Sequence, residues 1–390
     1  MYDVVIVGQS LAGSLTALML YHKLPHLKVA MLDQHNTGLN VPDQRATALS
    51  PSSIDALKQL ELWDTDLLAN AAPIQEIHIG MHSKNPARMV FCANQHPLGY
   101  NVLNVDLRQS IHKKLNTIHS HHLYYGSSVQ GIGIDTSHGT VTLANGKALK
   151  ARLIIGADGR NSAVRMLLTH TRKFNYQQTA LTATVRHARP HQNKALEFFL
   201  PQGALAFIPL SEPHTSTLVW SLKNNRFPIE NIDPILSQLM APYLGDIVCT
   251  QPPKQYPLSS YLATPRLGHR WVLVGDAANA IHPVAGQSLN LAIRDINTLV
   301  NHLQNQYELG LDIGSQSHLR DYAHMRQKDR YTLLGITHMA AHWMTTSSKP
   351  VATIFDGGMR CVNRCPPPLS LLVNGAQFGL MDGYRGAYEY

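Results

Sequence analysis

Cysteine and charge are both scarce in this 390-residue chain. Its four cysteines are too few to stabilise a protein of this size with disulfide bonds, so we expect it to work in a reducing compartment. They are Cys92, Cys249, Cys361 and Cys365. Charged residues make up 15% of the sequence, against about 25% in typical soluble proteins. Less of the surface than usual is therefore expected to be strongly hydrated.

Long apolar runs are absent as well. No run approaches the roughly 18 apolar residues of a membrane-spanning helix. The first residues lack the basic region and the cleavage site of a signal peptide. We therefore expect neither a spanning segment nor a leader, and a cytoplasmic protein.

The charge that is present is mostly basic. Lys and Arg number 33 and Asp and Glu number 25, which gives a formal net charge of +8 at pH 7. This balance favours anionic partners, such as a phosphorylated cofactor or an anionic membrane surface. The clustered Lys/Arg stripe of nucleic-acid-binding proteins is not evident, so we predict no nucleic-acid partner.

Hydrophobic patterning predicts an α/β architecture with two kinds of sheet. Residues 2–7 and 28–33 are short apolar runs separated by a glycine turn and a helical pattern, which make a strand–helix–strand unit. A hairpin turning at Asn145-Gly146 precedes another buried strand, and residues 271–274 form one before a long amphipathic helix. Between about 176 and 264, alternating strands punctuated by Pro and Gly predict an antiparallel sheet.

The first stretch with chemical meaning is Gly8-x-Ser10-x-x-Gly13, which opens a helix, followed by Asp33 at the end of the next strand. Glycines let the backbone approach a pyrophosphate, whose charge is favoured at a helix N-terminus, and an acidic residue there binds a ribose. Because Ser10 stands in place of the middle glycine, the alternative of a loop that merely turns stays open.

Two further stretches also follow buried strands. Asp158-Gly159 makes a sharp turn with a carboxylate at its tip, and alone it fits an ordinary turn before a capped helix. Asp276 ends a strand at the edge where open α/β sheets bind their ligands. The residues from Gly286 onward precede the amphipathic helix, so their amides present the positive end of its dipole.

In this order the three stretches resemble the FAD-dependent aromatic hydroxylases, which are single-component flavoprotein monooxygenases. Within them the chain is most similar to the ubiquinone-biosynthesis hydroxylases, the family of 2-polyprenyl-6-methoxyphenol hydroxylase. The resemblance covers nearly the whole chain. Further support comes from residues 43–50, the segment from Gly203 to Leu210, Pro257-Leu258 and residues 271–295.

The resemblance implies a Rossmann-like FAD-binding domain, an inserted antiparallel β-sheet substrate domain and a helical C-terminal tail. The expected FAD-binding segments are 1–75, 97–175 and 265–345. The expected substrate-domain segments are 76–96 and 176–264, and the tail is 346–390.

The resemblance also implies roles at the nucleotide end of the cofactor. Gly8, Ser10 and Gly13 would hold the pyrophosphate, and Asp33 would bind the adenosine ribose. The family usually has Gly where this chain has Ser10, and serine is tolerable there if its φ is negative. Arg45 would lie beside the flavin and pyrophosphate, with a surface ion pair as the alternative.

Further implied roles fall on the middle of the chain. Asn104 would make a polar cofactor contact, and Val129 would offer its backbone to the adenine unless it is an ordinary core valine. Asp158 and Gly159 would position a cofactor ribose and the nicotinamide nucleotide. Asp276 would bind the ribityl chain.

One more set would line the flavin ring: Pro283, Gly286, Gln287, Ser288, Leu289 and Asn290. His282 and Pro283 are the catalytic candidates, because His282 is the nearest titratable group in this stretch. A histidine that only orders the loop is an equal alternative. The family usually has His at the position of Asn279 and Gly at that of Ser288.

The implied reaction is hydroxylation of a polyprenylated phenol in ubiquinone biosynthesis. NADPH or NADH would reduce the FAD, O₂ would be the co-substrate, and a C4a-hydroperoxyflavin would deliver the oxygen. No second glycine-rich unit appears in the inserted segment, which favours transient docking of the nicotinamide nucleotide at the FAD. No metal site is expected, since Cys361 and Cys365 have no matching second pair.

An apolar, membrane-resident substrate would need an apolar pocket and access to the membrane, and two regions of the sequence could provide them. Phe198, Phe207, Trp220 and Tyr256 would wall an apolar pocket, with ordinary core as the alternative. The apolar tail beyond residue 350 would attach peripherally to the inner face of the membrane, or pack on the FAD domain. Other quinone-biosynthesis proteins are candidate partners.

Two other functions stay open. A flavin-dependent reductase or dehydrogenase of an isoprenoid would share the same frame, and turnover without O₂ would identify it. A weakly active flavoprotein scaffold of a biosynthetic complex is suggested by the substitutions at Ser10, Asn279 and Ser288. Failure to bind FAD would favour the scaffold.

Overall fold

A computed structural model describes most of the chain. The described residues are 1–35, 43, 45–81, 88–93, 95–118, 121–223 and 232–343. The predicted tail, with its helical character and membrane attachment, lies outside these ranges. Within them, no helix is both long and apolar enough to cross a bilayer.

Strands and helices interleave along the described chain. The strands are β1 (Tyr2–Val7), β2 (Val29–Leu32), β3 (Ala46–Leu49), β4 (Ala72–Ile74), β5 (Glu76–Met81), β6 (Arg88–Cys92), β7 (Gly99–Leu103), β8 (His121–Tyr124), β9 (Val129–Ile134), β10 (Gly139–Leu143), β11 (Ala148–Gly156), β12 (His170–His187), β13 (Lys194–Leu200), β14 (Gly203–Pro209), β15 (Thr215–Lys223), β16 (Ile247–Cys249), β17 (Lys254–Thr264), β18 (Leu267–Gly268), β19 (Trp271–Leu273) and β20 (Asn279–Ala280). The helices are α1 (Leu11–Lys23), α2 (Pro51–Gln59), α3 (Thr65–Asn70), α4 (Asn104–Asn116), α5 (Ala163–Leu168), α6 (Asp233–Met240), α7 (Ser288–Glu308) and α8 (Gln316–Trp343).

The first sheet is mostly parallel. Its order is β18-β19-β11-β1-β2-β8, in which only β18 runs antiparallel to its neighbour, among the described strands of that path. The predicted hairpin is present as β10 and β11, and β9 extends it. Val7 of β1 pairs with Gly156 of β11, which pairs with Leu273 of β19, so the loops after these strands start side by side.

Both faces of this sheet are covered, which explains its continuous apolar strands. Val4 and Ile6 pack into a cluster with residues of α1 and α7. Val5 and Val7 pack on the other face, with residues of β10 and α5. Because both faces are buried, the strand shows an unbroken apolar run instead of the alternation of a half-buried one.

The second sheet has nine strands in the described chain. Its order is β20-β17-β12-β15-β14-β13-β5-β6, with β16 beside β12. The predicted antiparallel arrangement is confirmed for every pair except β13 with β5, which is parallel. No hairpin joins these two strands, so their direction is not constrained to alternate. Strand β12 crosses the expected boundary at residue 176, and the division into segments stays a proposal.

Alternate residues of the second sheet face different neighbours. Phe198, Phe207 and Trp220 pack into a core with Leu236 and Met240 of α6. The expectation that these three aromatic residues wall a pocket is therefore wrong. The side-chain period of a strand is two, so the neighbouring positions, many of them small, lie on the opposite face. A third sheet, β3-β7-β4, was not predicted.

We predict that Phe207→Ala lowers the free energy of unfolding by about 3–5 kcal/mol, because it opens a cavity in the α6 core. The side chain of Phe207 is 1% exposed. The matched control is Phe174→Ala, at a side chain 48% exposed, which should cost less than about 1 kcal/mol. Urea unfolding followed by circular dichroism measures both, and equal losses would contradict the assignment of Phe207 to the core.

Candidate active site

A cavity of about 1620 Å³ lies among the residues of the two large sheets. Its wall includes Ser10, Gly159 and Asp276 from the three motifs, together with Arg45 and, from the second sheet, Ile79. Pockets for single small ligands usually measure ~300–1,000 Å³, so this cavity has room for two ligands. The three stretches singled out in the sequence thus border one continuous space.

The first loop packs tightly. Gly8 has φ +100°, and a Cβ there would lie 2.6 Å from the carbonyl oxygen of Ala157, while a Cβ at Gly13 would lie 1.9 Å from that of Gly8. Both positions therefore require glycine. Ser10 has φ −72°, which meets the condition for a serine, and its side chain does not cap α1 in the described chain. In the described chain the first-turn amides of α1 have no partner within the helix, so they and the exposed Ser10 side chain can meet a ligand.

Asp33 fixes the outer end of this loop. Its carboxylate accepts hydrogen bonds from the backbone N–H of Gln9 (2.7 Å) and of His35 (2.8 Å). The backbone N–H of Ser127 donates to the carbonyl of Asp33 (2.8 Å), and Val129 follows at the start of β9. Asp33 and Val129 stand outside the cavity wall that the described residues form, and their adenosine roles stay predictions.

Arg45 lines the cavity and is paired with the buried carboxylate of Asp43. It donates to Asp43 from Nε (2.7 Å) and from Nη2 (2.8 Å), and it lies 5.5 Å from the ring centroid of Tyr256. Burial works to raise the pKa of Asp43, but the guanidinium outweighs it and holds that pKa below its ordinary value. The buried Asn104 accepts a hydrogen bond from Thr47 Oγ1 (2.7 Å) and donates one to Asp43 (3.3 Å). Arg45 is thus anchored, with its half-exposed head on the cavity.

The second and third loops are joined by residues that the sequence analysis did not select. Arg165 donates from Nη1 to the carbonyls of Ala277 (3.0 Å) and Asp276 (3.3 Å), and its guanidinium lies 4.4 Å from the ring centroid of Tyr261. The Tyr261 hydroxyl donates to the carbonyl of Asp276. The sequence shows an arginine, Arg165, a few residues after Asp158-Gly159, but it does not show that this arginine contacts Tyr261 and Asp276, which lie about 100 residues away.

The two acidic residues of these loops differ in exposure to the cavity. The side chain of Asp276 is 39% exposed, and its Oδ2 lies 3.5 Å from Nε of Arg160. Although part of its side chain faces the cavity, the many protein atoms around Asp276 raise its pKa by desolvation, and Arg160 opposes this shift. Asp158 accepts a hydrogen bond from the backbone N–H of Val164 (3.2 Å), and burial raises its pKa as well. Asp276 lines the described cavity and Asp158 does not, so Asp276 is the carboxylate of the two that a ligand there can meet.

The loop before α7 supplies most of the predicted flavin-ring set. Pro283, Gly286, Gln287, Ser288 and Leu289 line the cavity. Helix α7 begins at Ser288, so its first-turn amides have no partner within the helix. The positive end of the helix dipole therefore lies at the cavity wall.

Asn290 lies behind that wall. Its Oδ1 accepts hydrogen bonds from the backbone N–H of Ser50 (3.0 Å) and from Ser53 Oγ (2.8 Å). Its Nδ2 donates to the carbonyl of Ala48 (2.9 Å). The structure thus places Asn290 between α7, α2 and β3, where it joins them, and leaves its implied contact with the flavin ring as a prediction.

His282 is enclosed by protein. Its Nδ1 accepts a hydrogen bond from the backbone N–H of Val284 (3.3 Å), so Nε2 carries the hydrogen and donates to Gln178 Oε1 (2.8 Å). Its ring stands edge-on to Tyr176, with centroids 4.8 Å apart. Burial lowers the pKa of His282 to about 4. Since both ring nitrogens are used and the ring is neutral, the geometry favours the loop-ordering alternative over a catalytic base.

The second sheet closes the cavity with small and apolar groups. Ala204, Ala206 and Val219 face it, as do Ile77 and Tyr256. Tyr256 is the one aromatic residue of the predicted four that lines the described wall. The result is a partly apolar chamber beside the polar loops.

Comparison with known proteins identifies the family. The FAD binding domain family matches residues 1–329. Ubiquinone hydroxylase UbiL of Rhodospirillum rubrum is 32% identical over 393 aligned residues, which cover 98% of this chain and 90% of that protein. The chain belongs to the ubiquinone hydroxylases, a family of FAD-dependent monooxygenases.

A second ubiquinone-biosynthesis enzyme and a solved monooxygenase structure are also similar to this chain. The mitochondrial ubiquinone biosynthesis monooxygenase COQ6 of Xenopus tropicalis is 27% identical, covering 94% of this hydroxylase and 91% of that protein. The crystal structure of p-nitrophenol 4-monooxygenase PnpA from Pseudomonas putida has the same fold, with a TM-score of 0.79 at 18% identity and 96% of each chain covered. The predicted family and fold class are thus confirmed.

We predict that His282 makes this hydroxylase less stable in acid. The folded pKa of about 4 lies below the ordinary value of 6.5. As the pH falls from about 6.5 toward 4, the unfolded chain binds a proton that the folded chain does not. The free energy of unfolding therefore drops, by on the order of 3 kcal/mol. His282→Gln removes the titrating ring and should flatten this part of the dependence.

Urea unfolding between about pH 7 and pH 4.5 makes this measurement. The control is His26→Gln, at an exposed position, which leaves the buried imidazole in place and should keep the fall. The same slope in His282→Gln as in the parent protein would show that another group causes the acid sensitivity.

Proposed function

We propose that this ubiquinone hydroxylase uses FAD, NADPH or NADH, and O₂ to hydroxylate the ring of a polyprenylated phenol in ubiquinone biosynthesis. One observation carries the proposal: a single cavity borders the three FAD motifs and the apolar face of the second sheet. The names of the two relatives, both ubiquinone-biosynthesis enzymes, support the substrate class.

The residues at the polar end of the cavity fit FAD. The first-turn amides of α1 and the guanidinium of Arg45 offer positive charge to a pyrophosphate. Gly8 and Gly13 stand outside the described cavity wall, and they let the loop pack closely against Ala157 and so set the position of these amides. Asp276 offers a partly exposed carboxylate to the hydroxyls of a ribityl chain. The amides at the start of α7 would favour negative charge on the ring system. When bound, FAD would supply the hydride acceptance and oxygen activation that no side chain provides.

The chain's own residues would orient the partners and exclude water. Pro283 and Leu289 line the cavity beside the α7 amides, where their apolar side chains would limit access of solvent to a bound ring. The small residues Ala204 and Ala206 leave space on the second sheet for an aromatic ring and its apolar chain. Gly159 and Arg160 border the same space and are candidates to meet the nicotinamide nucleotide.

Peripheral attachment to the inner face of the membrane, and contact with other quinone-biosynthesis proteins, belong to the same proposal. A polyprenylated substrate resides in the bilayer, so an apolar element on a basic protein would bring the enzyme to it. The membrane attachment rests on the tail, which lies outside the described residues.

The activity is tested with FAD-loaded protein, NADPH or NADH, ¹⁸O₂ and a short-chain prenylated phenol. We expect a hydroxylated product that contains one ¹⁸O atom, measured by mass spectrometry, and no product under anaerobic conditions. A product formed without O₂ would instead identify a reductase or dehydrogenase. Protein that cannot be loaded with FAD would support the scaffold alternative.

We predict that Asp276→Ala weakens FAD binding by about 10- to 100-fold, because it removes a hydrogen-bond acceptor from the cavity. The readout is the flavin absorbance retained on purification, followed by titration of FAD into the apoprotein. The control is Asp55→Ala on α2, whose side chain is 61% exposed on the surface. A full flavin spectrum in Asp276→Ala would refute the proposed contact.

A further inference from the structure

A buried chain of ion pairs joins α7 to α8 beside the cavity. Arg326 lies 2.6 Å from Asp295 and also pairs with Asp329. Arg294 pairs with Asp329 through Nε (2.9 Å), and Arg266 pairs with Asp295 (3.2 Å). All five side chains are at most 6% exposed. Three guanidiniums against two carboxylates leave one positive charge in excess, in a place where uncompensated charge is costly.

Arg294 is the cation of this group that borders the cavity. Within the described residues, its guanidinium donates one hydrogen bond, from Nε to Asp329 Oδ2, and its Nη1 is buried without a partner. A guanidinium has five N–H donors, and buried donors are nearly always satisfied. Nη1 has no surface open to the cavity, whereas Nη2 is neither fully buried nor hydrogen-bonded within the described residues, so Nη2 is the donor that an acceptor on a ligand can reach.

The surroundings of Arg294 indicate what kind of ligand this is. Leu289, Leu333 and Ile336 line the cavity together with Arg294, so charge and apolar surface occur in one wall. The pyrophosphate of the cofactor has its own cation, Arg45, and the amides of α1. A molecule that suits the wall near Arg294 is amphipathic, with an anionic oxygen at one end and an apolar remainder.

We propose that Arg294 is a substrate-binding residue whose guanidinium takes an anionic oxygen on the aromatic ring of the substrate, either a phenolate or a carboxylate. This rests on the proposed function, because the ligand is the aromatic substrate of that reaction. Asp329 holds Arg294 through Nε and leaves Nη2 for the ligand. A phenolate placed against a guanidinium is stabilised, so the ring becomes electron-rich without a dedicated base.

The test compares three ligands of matched shape on oxidised, FAD-loaded protein: para-hexylbenzoate, para-hexylphenol and para-hexylanisole. We expect para-hexylbenzoate to bind about 10- to 100-fold more tightly than the uncharged anisole, measured by isothermal titration calorimetry. In Arg294→Gln this preference should disappear while the affinity for the anisole is retained. Equal binding of the benzoate and the anisole to the parent protein would overturn the proposal, and this needs no variant.

The matched control is Arg270→Gln, which removes another buried guanidinium from an ion pair, with Asp312, outside the described cavity wall. We expect it to keep the benzoate preference. Arg294→Lys, which keeps the charge but loses the planar fork, should retain part of it. A preference that survives in Arg294→Gln would assign the anion to a different residue and refute the proposal.

Proton release distinguishes the two anionic groups. If the site takes a phenolate, para-hexylphenol releases a proton on binding, which titrations in buffers of different ionisation enthalpy detect. A benzoate preference without proton release from the phenol supports the carboxylate form. Binding is measured without a nicotinamide donor or turnover, so the failure of ¹⁸O incorporation and the failure of anion preference are separate results.

Discussion

The parallel pairing of β1, β11 and β19 is the constraint on which the candidate site depends. Val7, Gly156 and Leu273 lie in register on adjacent strands, so three loops that are distant in sequence leave the same edge of the sheet together. The first and third loops lie so close together that a Cβ added at Gly275 would be only 2.8 Å from the Cβ of Ala12. The position of the site is thus a consequence of backbone pairing, and Arg165 secures it with hydrogen bonds to loop carbonyls.

The same kind of ion pair occurs twice in the cavity wall. In two places an arginine that borders the cavity is paired with an aspartate: Arg45 with Asp43, and Arg294 with Asp329. Desolvating such pairs offsets much of their mutual attraction, so their main contribution is position and not stability. The basic composition of the chain is consistent with this use of arginine, since fixed guanidiniums suit phosphate, phenolate and carboxylate groups.

The sequence was most informative where a pattern has a local cause. Apolar runs identified β1 and β19 because both faces of their sheet are covered, and Asn145-Gly146 identified a hairpin because the turn needs a positive φ. The sequence was misleading for Phe207 and Trp220, since composition does not tell which sheet face meets α6. It was silent on the pairing of Arg294 with Asp329 and of Arg165 with Tyr261, because those contacts depend on how distant elements pack.

The departures from the family pattern are accommodated by the fold, which weakens the case for an inactive scaffold. Ser10 has a negative φ and lines the cavity, so a serine in place of the glycine is accommodated there without backbone strain. Ser288 begins α7 and keeps the helix amides at the wall. Asn279 accepts a hydrogen bond from Arg330 Nε (3.0 Å) and is buried. Each substitution is satisfied locally, so none of them requires the cavity to have lost its ligand.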